Sequence, residues 1–391
     1  MIVGVHVESH GNERRVALIP ALVPTLTKAG MEVMVESGAG QNAGFPDSVY
    51  KEHGASVVSD RHLLFSSADV LLQVHSFGQN HRDFGFLRSK QVLIGLLDPL
   101  GAPTTVQELA RSGATTFALE LLPRISRAQP MDALTSMATI GGYKAVLLAA
   151  GALGKMFPMM ITAAGTLTPA RVFVIGAGVA GLQAIATARR LGAIVVAYDV
   201  RPSVREQIES LGARFLEIEL ETKGAEASSG YAKAMGEDFY RRQRETMRQA
   251  VAESDVVIAT AAIPGKKAPV LITQEIVQGM RPGSVIVDLA AESGGNCELT
   301  RPGEHIEENG VSILGPVNLP STIPYHASQM YSRNVSAFLL NLVKDGEIRL
   351  DLEDQIIRDT LLTHNGEVVN PLVRQLLGLP EISTLSSHGS T

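Results

Sequence analysis

Short apolar runs recur along the first third of the chain, separated by stretches whose polar and apolar positions repeat at helical spacing. Residues 2–7, 32–35, 57–58, 70–74, 92–96 and 115–118 are rich in β-branched residues or leucine and read as strands, whereas 21–29, 61–66 and 104–112 read as helices. This alternation predicts an α/β domain with a mostly parallel sheet, because parallel neighbours need a crossover, usually a helix. A long helical pattern follows over 132–153. A second alternating series then begins, with strands at 172–175, 193–198, 214–218, 256–260, 284–288 and 311–314 and a helix at 179–191. Residues 325–344 read as a last long helix with no sheet partner of its own, expected to pack back on the first domain. The predicted architecture is α/β: two Rossmann-like doubly wound domains with parallel sheets, joined by two long helical crossings. Residues 1–135 plus 322–391 form the first, discontinuous domain and 136–321 the second.

Two segments depart from the alternation. Residues 219–239, ELETKGAEASSGYAKAMGEDF, are polar and weakly periodic. A connection longer than about 12–15 residues in a compact domain is usually a functional lid or disorder, and this one reads as a mobile flap carrying Tyr231. Residues 145–164, AVLLAAGALGKMFPMMITAA, suggest a membrane span, but Lys155 and Pro158 interrupt them. A spanning helix needs about 20 nearly uninterrupted apolar residues, so two buried pieces are expected instead. The opening MIVGVHVESH lacks the basic start and long apolar core of a signal peptide. The Ser/Thr-rich end after residue 379 is expected to fray.

Composition narrows the function classes. The 391 residues are 45% hydrophobic and 19% charged, enough for a core in each of two domains. A net charge of −6 without a basic block argues against a nucleic-acid partner. Cys297 is the one cysteine, so no internal disulfide forms, as befits a reducing compartment. A catalytic thiol is not expected there, with no histidine nearby in sequence. The ten histidines show no ligand spacing, and no metal site is expected.

The strongest chemical signal is RVFVIGAGVAG, 171–181. It sets Gly176-x-Gly178-x-x-Gly181 directly after an apolar strand and before a helix. Gly176 permits the tight turn, Gly178 lets backbone approach a pyrophosphate, and Gly181 allows close helix–strand packing. The helix N-terminus then presents unpaired N–H groups to the phosphates. The next strand ends at Asp199, 23 residues after Gly176. A carboxylate there accepts hydrogen bonds from ribose hydroxyls and repels a 2′-phosphate, so NAD(H) is favoured over NADP(H), although Arg201 is able to pair with that phosphate. The loops TAAIPGKKAP (260–269), DLAAESGGNCE (288–298) and NLP (318–320) are further candidate walls at the strand C-termini, with Gly294, Gly295 and Asn296 forming a tight turn.

Several stretches together carry a family resemblance: NERRVALIP (12–20), ESGAG (36–40), PRISRAQPMDALTSMA (123–138), GAGVAGLQAIATARRLGA (176–193), GYAKAMGE (230–237), IPGKKAPVLIT (263–273) and PGSVIVDLAAESGGNCE (282–298). The chain resembles the NAD(H)-binding component, domain I, of proton-translocating nicotinamide nucleotide transhydrogenases, in the alanine dehydrogenase/transhydrogenase superfamily. The resemblance implies direct, Si/Re-specific hydride transfer between NADH on this chain and NADP⁺ on another. Both reactants are nicotinamides, so no acid–base residue is required; the protein supplies position and electrostatics. The implied nicotinamide-side constellation, catalytic as well as cofactor-binding, is Arg124, Gln129, Asp132 and Thr135. Arg124 and Asp132 are suited to ion-pair and grip the carboxamide, and Gln129 to reach the partner's ring. Asp132 also reads as a helix N-cap, and Arg127 as a solvated or structural arginine. Further implied NAD(H) contacts are Ala133, Val179, Ala180, Val200, Arg201, Gly230, Tyr231, Gln243, Thr260, Ala261 and Ala262. Thr135 and Pro130 stand where the family often has serine; Pro130 stiffens the loop and removes an N–H.

The resemblance also implies partners: a second copy of the chain, an NADP(H)-binding subunit and a membrane-spanning proton-channel subunit. The chain is then the soluble component of a version split over several polypeptides, cytoplasmic and attached to the inner face of the membrane through those partners. Alanine dehydrogenase shares the fold and is the rival reading. Its family carries a catalytic Lys in a KVKEP-like element and a catalytic His in an FLHLA-like one. Here the elements read QVHSF (73–77) and LLDPL (96–100), with Asp98 in the histidine's place, although Arg15 survives. A second alternative is an NAD(H)-sensing module that regulates a partner.

Overall fold

The computed structural model describes residues 1–75, 81–217, 237–262, 265–344 and 346–381. The chain divides into two compact units, Met1–Met137 with Pro320–Thr391, and Ala138–Leu319. Each is built on one large sheet.

The first unit contains β1 (Ile2–Val5), β2 (Glu32–Glu36), β3 (Ser56–Val58), β4 (Val70–His75), β5 (Val92–Leu96) and β6 (Thr115–Ala118). They lie in the order β3-β2-β1-β4-β5-β6, every pair parallel. β5 is apolar throughout because it is buried along its whole length. Two short strands, Leu361–His364 and Glu367–Val368, extend the β6 edge antiparallel, so this sheet is parallel only in its six-stranded body. Runs of four and two residues are too short to read as strands from sequence. The long helix Pro324–Leu342 packs on this unit through a serine face: Ser328 and Ser332 hydroxyls accept from Val16 and Ile19 N–H, each at 3.0 Å. Tyr331 donates to the Gln73 carbonyl at 2.6 Å.

The chain order reverses between β1 and β4, the point where such sheets have their crevice. Here the chain's own charges fill it. Arg61 reaches Glu36 at 2.6 Å and Asp83 at 2.7 Å, and donates to the Val7 carbonyl at 3.0 Å. Glu8 accepts from the Val74 and His75 N–H groups at 2.6 and 3.2 Å, tying the loop after β1 to the end of β4. Burial drives the Glu8 carboxyl up to about 8 and the His6 imidazole down to about 4.

The helix α1 (Ala133–Ala152) starts in the first unit and continues in the second. By length and composition it is apolar enough to cross a membrane, but Ala145, Val146 and Ala149 are buried in the core of the second unit with Val172 and Val174. The apolar stretch that follows is not buried as its composition suggests. It forms a hairpin, Met160–Thr162 with Gly165–Leu167, on which Ile161 is 76% exposed and Met160 and Leu167 are also exposed.

The second sheet comprises β7 (Arg171–Ile175), β8 (Ile194–Tyr198), β9 (Arg214–Phe215), β10 (Val256–Ala259), β11 (Val285–Asp288), β12 (His305–Glu308) and β13 (Val311–Leu314). The order is β9-β8-β7-β10-β11-β13-β12, parallel except for the edge strand β12. Its parallel part is again 3-2-1-4-5-6, with the reversal between β7 and β10. The helix α2 (Val179–Arg190) follows β7, and α3 (Glu237–Ala252) precedes β10. The flap expected over 219–239 lies outside the described residues, except that 237–239 open α3.

Candidate nucleotide-binding site

The three glycines stand at the reversal point of the second sheet, and each is glycine for a different reason. Gly176 has φ +93°, and a Cβ there would lie 2.7 Å from Thr260 Oγ1. A Cβ on Gly181 would lie 1.8 Å from the Gly176 carbonyl oxygen, so only glycine lets α2 rest on the strand end. Gly178 is the N-cap of α2, extended at φ −73° and ψ −169°. A Cβ on it would meet nothing within 4 Å. Neither backbone nor packing requires glycine there; a side chain would project into the open space where a ligand can come against the first-turn N–H groups of Val179 and Ala180.

Asp199 closes the turn from below. It is 7% exposed, and its carboxylate accepts from Ala177 N–H at 2.7 Å and from Arg201 N–H at 2.8 Å. The Arg201 guanidinium adds Nε at 3.0 Å and Nη2 at 3.0 Å. Gln243, from α3, reaches the same strand end and donates to Tyr198 Oη at 2.8 Å; burial lifts that phenol to about 12. Val200 lies between Asp199 and Arg201, half-buried.

The far wall is held by a residue whose part the sequence does not disclose. Asn296 is fully buried. Its Oδ1 accepts from Ala261 N–H at 2.9 Å, and its Nδ2 donates to the Ala261 and Pro269 carbonyls at 2.8 and 2.9 Å. The tight turn at Gly294 (φ +100°) and Gly295 (φ +80°) aims it at that loop. Thr260 donates from Oγ1 to the Gly176 carbonyl at 3.0 Å, linking the wall to the glycine turn, while Ala262 stands exposed at its rim. Asp288 accepts from Cys297 N–H and Thr300 Oγ1, fixing the loop after β11. Cys297 is buried and its thiol is pushed up to about 11, so it is no nucleophile. Gly230 and Tyr231 lie outside the described residues.

The polar loop belongs to the first unit. Ser126–Met131 is a 3-10 turn containing Pro130. Arg124 and Gln129 are exposed on it. Asp132 caps α1: its carboxylate accepts from Thr135 N–H at 2.8 Å and Thr135 Oγ1 at 2.6 Å, so the two share one face, and the buried Ala133 lies between them. Arg127 turns away to pair with Asp354 and Asn341, a structural role. The Pro130 carbonyl accepts from Asn334 Nδ2 at 2.8 Å, so the stiff residue is pinned to the helix behind it. Gly176, Gly178, Gly181, Asp199, Gln243, Thr260 and Ala261 thus gather in the second unit, while Arg124, Gln129, Asp132 and Thr135 form a separate group in the first.

The dehydrogenase-type positions look different. Arg15 is buried and bidentate on Glu13, with His75 Nε2 at 2.9 Å from Nη2. Asp98, at φ +47°, accepts from Gly101 N–H and donates its own N–H to Glu120.

Comparison with known proteins agrees with this geometry. Residues 4–141 match the family described as alanine dehydrogenase/PNT, N-terminal domain, and 145–371 match alanine dehydrogenase/PNT, C-terminal domain. The first of the split alpha-subunit chains of NAD(P) transhydrogenase from Rhodospirillum rubrum is 44% identical over 377 residues, covering 95% of this chain and 98% of that one. The crystal structure of a transhydrogenase from Sinorhizobium meliloti superposes with a TM-score of 0.85 at 43% identity, covering 94% of this chain and all of that one. A structure of L-alanine dehydrogenase gives 0.82 at 28% identity, covering 97% and 99%. The chain belongs to the alanine dehydrogenase/PNT family, on the side of its NAD(P) transhydrogenase alpha subunits.

Proposed function

We propose that this chain is the NAD(H)-binding subunit of a proton-translocating nicotinamide nucleotide transhydrogenase. The observation that carries the reading is the glycine turn, with Gly178 bare toward open space at the mouth of the second sheet while Gly176 and Gly181 are required by the fold itself. That cradle fits a dinucleotide pyrophosphate. Val179 and Ala180 offer it backbone N–H groups, and Asp199 takes the adenosine ribose. Arg124, Asp132 and Thr135 grip the nicotinamide carboxamide, and Gln129 faces the second nucleotide. The dinucleotide supplies the hydride; the residues orient one ring and leave its reacting face open to NADP(H) on a partner chain. Coupling to proton movement rests with a separate membrane-spanning subunit, which also holds this chain at the cytoplasmic face of the membrane. Arg127 and Asn334 keep the loop in shape rather than touching nucleotide.

A second reading, an alanine dehydrogenase-like enzyme, is disfavoured by Asp98 and His75 at the positions where that chemistry needs histidine and lysine. An NAD(H)-sensing module is disfavoured by Gln129, which a sensor has no need to present. The test is hydride transfer from NADH to an NADP⁺ analogue with the NADP(H)-binding chain, the membrane chain and this one mixed, then omitted in turn. Activity should vanish without this chain. NADH oxidation driven by pyruvate and ammonia would overturn the proposal. The same reading takes the chain as a homodimer, which light scattering decides.

A further inference from the structure

The carboxylate of Asp199 is fully engaged by its own chain. A carboxylate offers about four lone-pair directions, and four donors meet them: Ala177 N–H, Arg201 N–H, Arg201 Nε and Arg201 Nη2, at 2.7, 2.8, 3.0 and 3.0 Å. Two of these donors are backbone and hold the turn together; two are the guanidinium fork of Arg201. Ribose hydroxyls can reach Asp199 only in place of the fork. The guanidinium is 13% exposed at the side chain and sits two residues beyond the strand end, on the 2′ side of any ribose that Asp199 accepts. Neighbouring Arg205 is already tied to Glu217.

We propose that Asp199 and Arg201 form a specificity lock: Asp199 holds the Arg201 fork as an internal counter-charge, and once that carboxylate is removed Arg201 becomes a bidentate anchor for a 2′-phosphate. The site thus carries a latent NADP(H) pocket that one negative charge keeps shut. This deepens the nucleotide-site reading and rests on it. A guanidinium paired to phosphate forms a fork–fork contact with two charge-assisted bonds. The same fork paired to Asp199 is neutralised, and the carboxylate itself repels a phosphate brought to the ribose. In a transhydrogenase the lock has a purpose, since a subunit that took either nucleotide would let like react with like.

The test is fluorescence titration of the purified full chain with NADH and with NADPH, for wild type, Asp199→Asn, Asp199→Ser and Asp199→Asn/Arg201→Ala. Asparagine keeps an oxygen for the Ala177 N–H, and serine gives a second, smaller neutral replacement. The wild type should bind NADH and discriminate strongly against NADPH. Each neutral variant should gain about tenfold or more in NADPH affinity, the worth of one charge-assisted pair. The double variant should lose that gain while its NADH affinity stays level with Asp199→Asn. An unchanged NADPH affinity in both neutral variants, or a gain that survives removal of Arg201, overturns the lock. A wild type that binds neither nucleotide overturns the nucleotide site itself.

Discussion

Replacing Gly181 with alanine would set a methyl carbon 1.8 Å from the Gly176 carbonyl oxygen and 2.8 Å from its carbon. A carbon–oxygen contact normally settles near 3.3 Å, so α2 and the turn must part by roughly 1.5 Å. Backbone lies on both sides, and no rotamer relieves the clash. Forced overpacking costs typically 1–3 kcal/mol, and this site should lie at the upper end, about 3 kcal/mol. Gly178→Ala is the matched control. Its methyl meets nothing within 4 Å, and its backbone is extended, a shape alanine adopts. Its stability should stay within about 0.5 kcal/mol of wild type. Yet the methyl occupies the approach to the helix N-terminus, so NADH affinity should fall about tenfold or more, some 1.4 kcal/mol. Urea unfolding followed by circular dichroism gives the first quantity, and NADH fluorescence titration the second. The reasoning fails if Gly178→Ala binds NADH like wild type, or if it is destabilised as much as Gly181→Ala.

Asn296→Ala removes three hydrogen bonds and leaves the Ala261 groups without their partner, so it should cost about 2–3 kcal/mol in urea unfolding and weaken NADH binding; loss of stability with unchanged affinity would confine Asn296 to the core. Gln129→Asn should slow hydride transfer in the reconstituted enzyme far more than it weakens NADH binding, and equal losses would show that Gln129 only shapes the loop. Burial holds the Glu120 carboxyl up near 7 from its usual 4.5, and its Oε2 has no hydrogen-bond partner among the described residues. The folded chain therefore keeps a proton that the unfolded chain releases, so this group's contribution to stability falls as pH rises from 4.5 through 7. Glu120→Gln should change Tm little at pH 4 and raise it at pH 8, and a wild-type pH slope in the variant would refute the assignment.

Much of the frame is legible because parallel strands buried on both faces announce themselves as apolar runs, as at Val92–Leu96 and Thr115–Ala118, and because the glycine turn joins a strand to a helix at fixed spacing. The edge strands Leu361–His364 and Glu367–Val368 are not legible: they are short and their pairing is set by β6 rather than by local pattern. The hairpin after α1 misleads for the opposite reason, since Ile161 and Met160 have a core residue's composition but a surface residue's exposure. At the site, single residues with known chemistry can be picked out in order. The clamp of Asn296 on Ala261 and the fork of Arg201 on Asp199 cannot, because they depend on which loops meet at one end of a sheet. In the sequence Asn296 is visible only as a member of a tight turn, and Arg201 only as a phosphate ligand in waiting.

The two sheets share one winding order, and the difference between them is at the mouth. In the second, missing side chains keep the mouth clear; in the first, Arg61, Glu36 and Asp83 have closed it with charge. A chain with two copies of a nucleotide-binding frame therefore has a single berth. Its titration should close at one equivalent of dinucleotide per polypeptide, and the first frame is free to serve as a rigid mount whose former mouth has become a weld.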